Sequence, residues 1–84
     1  MNPSLIVITG AASGIGLHLA RYFQNQGFPL ILIDLNEEQL KSHFFTESHI
    51  NLLPGDVSKE ETWHRVISKA KEIHLPISHL INCA

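Results

Sequence analysis

The chain has 84 residues, of which 44% are hydrophobic and 17% charged, so it can form one small folded domain or part of a larger one. Its formal net charge of −2 and the lack of any Lys/Arg run argue against a nucleic-acid-binding protein. The apolar stretches are far too short to span a bilayer, and the single cysteine, Cys83, excludes an internal disulfide. We therefore expect a soluble cytoplasmic protein that binds neither nucleic acid nor a membrane.

Short apolar runs alternate with amphipathic segments in the first half of the chain. Residues 5–8 and 30–33 are continuous apolar runs, which are typical of strands buried on both faces. Between them a helix is predicted over residues 14–26, ended by Gly27 and Pro29. Its predicted inner face consists of Ile15, Leu19, Tyr22 and Phe23.

The alternation continues after the second strand. Asn36 is predicted to cap a short helix, with Gln39 in the reciprocal position. Leu40 and Phe44 would form the inner face of that helix, and residues 49–53 are a weaker strand.

The last third of the chain contains one more helix and one more strand. The sequence of residues 58–61, Ser-Lys-Glu-Glu, predicts a capping box at the start of the helix. Residues 77–83, which follow Pro76, read as the fourth strand. The predicted inner face of the helix consists of Trp63, Val66, Ile67, Ala70 and Ile73.

Four buried strands separated by three amphipathic helices predict an α/β fold with a parallel sheet. The natural arrangement is a doubly wound sheet with strand order 3-2-1-4. In that order the fourth strand lies at an edge, where a complete domain would add a fifth strand.

A glycine-rich loop, residues 9–16 (Thr-Gly-Ala-Ala-Ser-Gly-Ile-Gly), lies between the first strand and the first helix. A pyrophosphate must approach backbone N–H groups at a helix N-terminus closely, and side chains would block that approach. Gly10 would allow the tight turn, Gly14 the approach of phosphate, and Gly16 close packing of helix on strand. The loop is not a Walker loop, because no Lys-Ser/Thr pair follows the glycines. It predicts a Rossmann-type dinucleotide-binding turn, and a glycine turn without a ligand is the alternative.

An acidic residue, Asp34, ends the second strand, eighteen positions after Gly16. Its carboxylate could accept hydrogen bonds from the adenosine ribose hydroxyls, whereas a 2′-phosphate would meet like charge. Neither the glycine loop nor the position of Leu35 supplies an Arg or Lys to neutralise such a phosphate. The sequence therefore favours NAD over NADP, and the alternative is that Asp34 only begins a solvated turn.

Taken together, these motifs resemble the short-chain dehydrogenase/reductase family over essentially the whole chain. The matching residues are Thr9, Gly10, Gly14, Ile15 and Gly16 in the glycine loop, Asp34 after the second strand, Asp56 and Val57 after the third, and Asn82 and Ala84 in the fourth-strand motif. Cys83 stands where this family often has Asn. The resemblance implies that Asp56 hydrogen-bonds the adenine amino group, that the Val57 backbone contacts the ring, and that Asn82 fixes the sheet beside the cofactor.

The resemblance also implies a cofactor and a reaction. We expect the chain to bind NAD, and the complete form to transfer hydride between nicotinamide and an alcohol or carbonyl as a homo-oligomer. The predicted cofactor-binding residues are Thr9, Gly10, Ser13, Gly14, Ile15, Gly16, Asp34, Leu35, Asp56, Val57, Asn82 and Ala84.

The family's catalytic Tyr-x-x-x-Lys pair has no counterpart in these residues. Tyr22, the single tyrosine, is followed four positions later by Gln26, and core packing is its expected role. The six histidines show no metal-ligand spacing, so we predict neither a catalytic residue nor a metal site.

We therefore expect residues 1–84 to be the N-terminal part of one dinucleotide-binding domain without its catalytic half. Such a chain would be inactive by itself and either poorly stable or self-associating. Two alternatives remain: a truncated, non-enzymatic nucleotide-binding or association-only product, and an unrelated Rossmann domain such as a methyltransferase.

Overall fold

The structure, a computed structural model, describes residues 4–45, 47 and 49–84. Strands and helices alternate along the chain as the sequence predicts. The elements are β1 (Leu5–Thr9), α1 (Gly14–Asn25), β2 (Leu30–Asp34), α2 (Glu37–His43), β3 (Ile50–Pro54), α3 (Glu60–Ile73) and β4 (Ile77–Asn82).

The four strands form one parallel sheet in the order β3-β2-β1-β4, which confirms the predicted topology. β1 and β2 are central, and Val7 of β1 pairs with Ile31 on one side and Leu80 on the other. Because side chains alternate between faces along a strand, the apolar runs of β1 and β2 serve two cores.

Helices cover the two faces of the sheet unequally. α1 and α2 pack on one face, where Ala20, Leu40 and Phe44 join the even-numbered residues of β1 and β2 in a buried cluster. α3 packs alone on the other face, where Val66 joins the odd-numbered residues of the same strands. Within the described residues, no helix is long and apolar enough to cross a membrane.

The predicted inner face of α1 is partly wrong. Ile15 and Tyr22 are 74% and 55% exposed, whereas Gly16 and Ala20 are buried and Phe23 packs against the core. A Cβ at Gly16 would overlap the carbonyl group of Gly10, so the missing side chain lets the helix lie directly on the preceding loop. The helix therefore approaches the sheet most closely at Gly16 and Ala20, with Leu17 and Phe23 packed beside them and with Ile15 and Tyr22 turned outward.

The helix caps show one confirmation and two corrections. The Asn36 side chain accepts a hydrogen bond of 3.0 Å from the Gln39 N–H, as predicted for the cap of α2, but the reciprocal half is wrong because the Asn36 N–H donates to Asp34. The capping box at residues 58–61 is wrong, since Lys59 is the N-cap of α3 and makes no side-chain cap bond. The Ser58 hydroxyl, one residue before the N-cap, donates instead to the Asp56 carboxylate.

The fourth strand is largely exposed. β4 ends at Asn82, one residue before the predicted end, and it pairs with β1 as the outer strand of the sheet. Leu80 is 55% exposed, and it lines an apolar cavity of about 190 Å³ between β4 and α3 together with Ile77 and Ile67. Ile67, which was predicted to lie on the inner face of α3, is half exposed because nothing in the described chain covers this side of the sheet edge.

Candidate functional site

A cleft of about 290 Å³ opens at the carboxyl ends of the four strands. In open parallel sheets this is the edge at which ligands bind, because the strand order reverses beside the first strand. Its lining residues are Gly10, Ser13, Asp34, Leu35, Gly55, Asp56, Val57, Cys83 and Ala84. The structure thus brings together most of the residues that the sequence analysis selected from four separate parts of the chain.

The glycine loop owes its shape to two kinds of constraint. Gly10 has a φ of +67°, and a Cβ there would stand 2.7 Å from the carbonyl carbon of Cys83 at the end of β4. A side chain at Gly10 would therefore meet both an unfavourable backbone conformation and the backbone of the neighbouring strand. The sequence predicted the turn, but the contact with Cys83 depends on the pairing of β1 with β4.

The first turn of α1 faces open space. Gly14 has a φ of +58°, and in the described part of the chain no atom beyond its chain neighbours and its own helix backbone lies within 4 Å of the position that a Cβ would take. Ser13 and Ile15 on either side are exposed, and the first turn contains no acidic residue. Backbone N–H groups at a helix N-terminus attract anions, so this turn can hold a phosphate group.

Two backbone N–H groups fix the carboxylate of Asp34 at the end of β2. The Ala12 N–H donates to Oδ2 at 3.0 Å, and the Asn36 N–H donates to Oδ1 at 2.9 Å. A carboxylate offers about four lone-pair positions, so both oxygens can still accept a bond from a ligand hydroxyl. The bond to Asn36 is an Asx-type turn that the sequence could have indicated, whereas the bond to Ala12 crosses 22 residues and has no sequence signal.

The charged residues that line the cleft are both acidic, Asp34 and Asp56. Leu35, which follows Asp34, is exposed and carries no charge. The lining therefore offers hydrogen-bond acceptors to a ligand but no cation to bind an additional phosphate.

A loop of residues 55–58 forms the opposite wall of the cleft. Two bonds from Ser58 reach Oδ1 of Asp56, one from the hydroxyl at 2.7 Å and one from the backbone N–H at 2.9 Å. These hydrogen bonds, the hydroxyl first and then the N–H, hold the pKa of the Asp56 carboxyl below its ordinary value. The carboxylate is therefore ionised and can only accept hydrogen bonds at neutral pH.

Hydrogen bonds to three other residues fix the backbone of the 55–58 loop. The Thr62 hydroxyl donates to the Asp56 carbonyl at 2.7 Å, and the Trp63 indole N–H donates to the Val57 carbonyl at 2.9 Å. The Gly55 N–H donates to the Asp34 carbonyl at 3.1 Å. The sequence analysis assigned neither Thr62 nor Trp63 a role at the cleft. An apolar pattern predicts which face of a helix is buried, but it does not predict what the polar atoms on that face will bond to.

Thr9, Asn82 and Gly16, which were also predicted at the site, do not line the cleft but stabilise the backbone that forms it. Thr9 is fully buried, and its hydroxyl donates to Oδ1 of Asn82 at 2.6 Å. The same hydroxyl oxygen accepts bonds from the N–H groups of Cys83 at 3.1 Å and Ala84 at 3.4 Å. Gly16 is buried under the loop.

Tyr22 lies outside the cleft, on α1. It is not the core residue that the sequence analysis expected, although its ring packs edge-on against Phe23 with centroids 5.3 Å apart. Among the described residues, no three His, Cys, Asp or Glu side chains are grouped as a metal site would require.

Comparison with known proteins places this geometry in context. The model of the short chain dehydrogenase family matches residues 4–84. An 11-beta-hydroxysteroid dehydrogenase-like protein of Arabidopsis thaliana is 32% identical over 89 residues, which cover 100% of this chain and 23% of that protein. An NAD-dependent glycerol dehydrogenase of Listeria innocua is 33% identical over 85 residues, covering 100% of this chain and 34% of that enzyme.

Solved structures give the same picture. A 4-hydroxyisoleucine dehydrogenase complexed with NADH superposes with a TM-score of 0.80 at 31% identity, covering 96% of this chain and 33% of that one. A short chain dehydrogenase from Bacillus anthracis gives a TM-score of 0.86 at 25% identity, covering 96% of this chain and 34% of that one. The chain spans about a quarter to a third of the proteins it resembles. Motifs, topology and the match over residues 4–84 agree, and the chain belongs to the short-chain dehydrogenase family.

Proposed function

We propose that the chain binds NAD in the cleft and forms the NAD-binding part of a dehydrogenase. The observation that supports this most directly is the Asp34 carboxylate, fixed by two backbone N–H groups beside an open helix N-terminus. The similar 4-hydroxyisoleucine dehydrogenase is complexed with NADH, and the similar Listeria enzyme is NAD-dependent, which also supports the proposal.

Each part of the dinucleotide has a counterpart in the cleft. The first turn of α1, at Gly14, would hold the pyrophosphate, because it is a helix N-terminus with open space beside Gly14 and with Ser13 in the cleft lining. Asp34 would accept hydrogen bonds from the adenosine ribose. The 55–58 loop would hold the adenine, with Asp56 accepting from the amino group and Val57 against the ring.

The choice of NAD over NADP follows from charge. A 2′-phosphate on the ribose would lie beside the ionised Asp34, and the cleft lining contains no Lys or Arg to offset the repulsion. The fixed position of Asp34 strengthens this argument, because a carboxylate held by two N–H groups cannot easily turn away.

Bound NAD would supply a hydride acceptor for oxidation of an alcohol, and NADH a hydride donor for reduction of a carbonyl. The chain's own residues bind and orient the dinucleotide. A proton relay of the Tyr-x-x-x-Lys type would have to come from outside these 84 residues, because Gln26 stands four positions after the single tyrosine.

A second candidate is a non-enzymatic protein that binds nucleotide or acts only through association. The exposed apolar residues of β4 and α3 favour it, because such a surface is typical of an interaction site.

Calorimetric titration of the chain with NAD and NADP tests the proposal. We expect NAD to bind more tightly, and D34A to reduce the ratio of the two affinities. The ratio is the informative quantity, because D34A also releases the Ala12 N–H and loosens the loop for both ligands. E38A, which removes an exposed charge on α2, is the control and should leave the ratio unchanged. Equal affinities in the parent chain, or tighter NADP, would contradict the proposal.

A further inference from the structure

Ser58 contacts a cleft residue without lining the cleft itself, unlike Gly55, Asp56 and Val57 of the same loop. It donates two hydrogen bonds to Oδ1 of Asp56. We propose that Ser58 is a positioning residue, which aims the Asp56 carboxylate so that the site selects a 6-amino purine over a 6-oxo purine. This inference deepens the proposed function and rests on it.

The two carboxylate oxygens of Asp56 have different roles in this geometry. Both bonds from Ser58 end on Oδ1, at 2.7 Å from the hydroxyl and 2.9 Å from the N–H. Oδ2 is left for a donor from a ligand, and Asp56 lies in the lining of the cleft. Two bonds to one oxygen fix the rotation of the carboxyl group, so the free oxygen has a defined position.

The loop backbone does not depend on the Ser58 hydroxyl. Bonds from Thr62 and Trp63 hold the carbonyl groups of Asp56 and Val57, and the Gly55 N–H is bound to β2. Removal of the Ser58 hydroxyl should therefore leave the Asp56 side chain held only by the bond from the Ser58 N–H, and so less tightly aimed, while the loop stays in place. This separation makes a positioning role testable apart from a structural one.

An ionised carboxylate distinguishes purines by what they offer at position six. The 6-amino group of adenine donates a hydrogen bond to it, whereas the 6-oxo group of hypoxanthine is another acceptor and is repelled. The bonds from Ser58 also lower the pKa of Asp56, which keeps the carboxylate in the form that makes this distinction.

The experiment compares NAD with nicotinamide hypoxanthine dinucleotide, which differs from NAD only in the oxo group at position six of the purine and in the hydrogen that N1 then carries. We expect the parent chain to prefer NAD, and S58A to lose roughly three- to tenfold of that preference, because the substitution removes one of the two bonds that aim the carboxylate and leaves the other. S58T keeps a hydroxyl and should restore the preference. S42A is the matched control, because the Ser42 hydroxyl makes an exposed bond of equal length, 2.7 Å, to Gln39 on α2.

The outcomes separate the two claims. If the parent chain prefers NAD and S58A keeps the full preference at an unchanged melting temperature, the role of Ser58 is refuted while the proposed function stands. The same holds if the parent binds both dinucleotides equally. If the parent binds neither dinucleotide, the proposed function fails and this inference fails with it. Loss of preference in S58A, recovered in S58T and absent from S42A, supports the proposal.

Discussion

The hydroxyl of Thr9 donates a hydrogen bond of 2.6 Å to Oδ1 of Asn82, which lies 73 residues later and on the neighbouring strand. The bond joins the central strand β1 to the edge strand β4 at the point where both enter the cleft. Gly10 follows directly and packs on the backbone of Cys83, so the position of the glycine loop depends on this pairing.

Replacement of Thr9 by Val, which has the same shape but no hydroxyl, should therefore weaken both stability and binding. We expect T9V to lower the free energy of unfolding by roughly 1–2 kcal/mol, because Asn82 loses its donor and two N–H groups lose an acceptor. A double-mutant cycle with N82A, followed by denaturant unfolding, measures the bond itself. Purely additive effects of the two substitutions would show that the side chains do not interact.

Gly14 offers a test of phosphate binding with an internal control. G14V should abolish NAD binding, because a side chain would project into the open space before the first turn of α1. The substitution also places a branched residue at positive φ, which costs at least about 1 kcal/mol. G27V imposes the same kind of strain at a φ of +82°, also in open space but beyond the end of α1. Calorimetry should show binding lost in G14V and retained in G27V; equal binding by G14V and the parent would show that the loop does not hold phosphate.

The pH dependence of Asp56 checks the action of Ser58 without any ligand. Because the folded pKa of Asp56 is lowered by Ser58, S58A should raise it toward the ordinary value, as measured by NMR titration of the carboxyl carbon. A lowered folded pKa stabilises the fold above the unfolded pKa, and that contribution is lost as the pH falls through the folded value. The difference in unfolding midpoint between parent and S58A should therefore shrink on acidification. An unchanged Asp56 pKa in S58A would contradict the structure.

The exposed edge should govern self-association. Leu80 and Ile77 face outward from β4, and a strand edge with apolar side chains is a template for pairing with another chain. L80K should shift the chain toward monomer in sedimentation experiments, because a charge opposes edge pairing. F45K, which replaces a still more exposed apolar residue away from β4, should leave association unchanged. A monomeric parent chain with a sharp, reversible melt would refute the expectation.

Catalysis gives the simplest prediction. The 84-residue chain should bind NAD yet show no turnover with a panel of alcohols, because its residues include no Tyr-x-x-x-Lys pair. General acid–base groups contribute roughly a hundred- to ten-thousand-fold to such steps. The measurement is the appearance of NADH absorbance, and robust turnover would require a proton relay that the sequence does not reveal.

The sequence was most informative where the chain determines structure locally. The apolar runs predicted β1 and β2, and the order of strand, glycine loop and helix predicted the position of the cleft. Prediction from the sequence failed where contacts between distant residues determine which side chains are buried. Ile15 and Tyr22 have the right spacing for a core face, but the missing Cβ of Gly16 turns other residues toward the sheet.

The second failure concerns the orientation of one hydroxyl: a cap needs the Ser58 oxygen to accept a bond from a helix N–H, and the structure instead has the hydroxyl donating to Asp56. Ser58 matches a helix cap in sequence, yet the Asp56 carboxylate two residues earlier takes its hydroxyl. The bond between Asp34 and the Ala12 N–H has no local signal at all, because it exists only once β2 lies beside β1.

Trp63 lies between two surfaces that are otherwise separate. Its indole N–H is bonded to the Val57 carbonyl in the cleft wall, while its ring lines the apolar cavity that Ile77 and Leu80 share with α3. It is also the single tryptophan of the chain. The fluorescence of Trp63 should therefore report on both surfaces. A nucleotide that enters the cleft and a protein that covers β4 would each change the emission of the same ring.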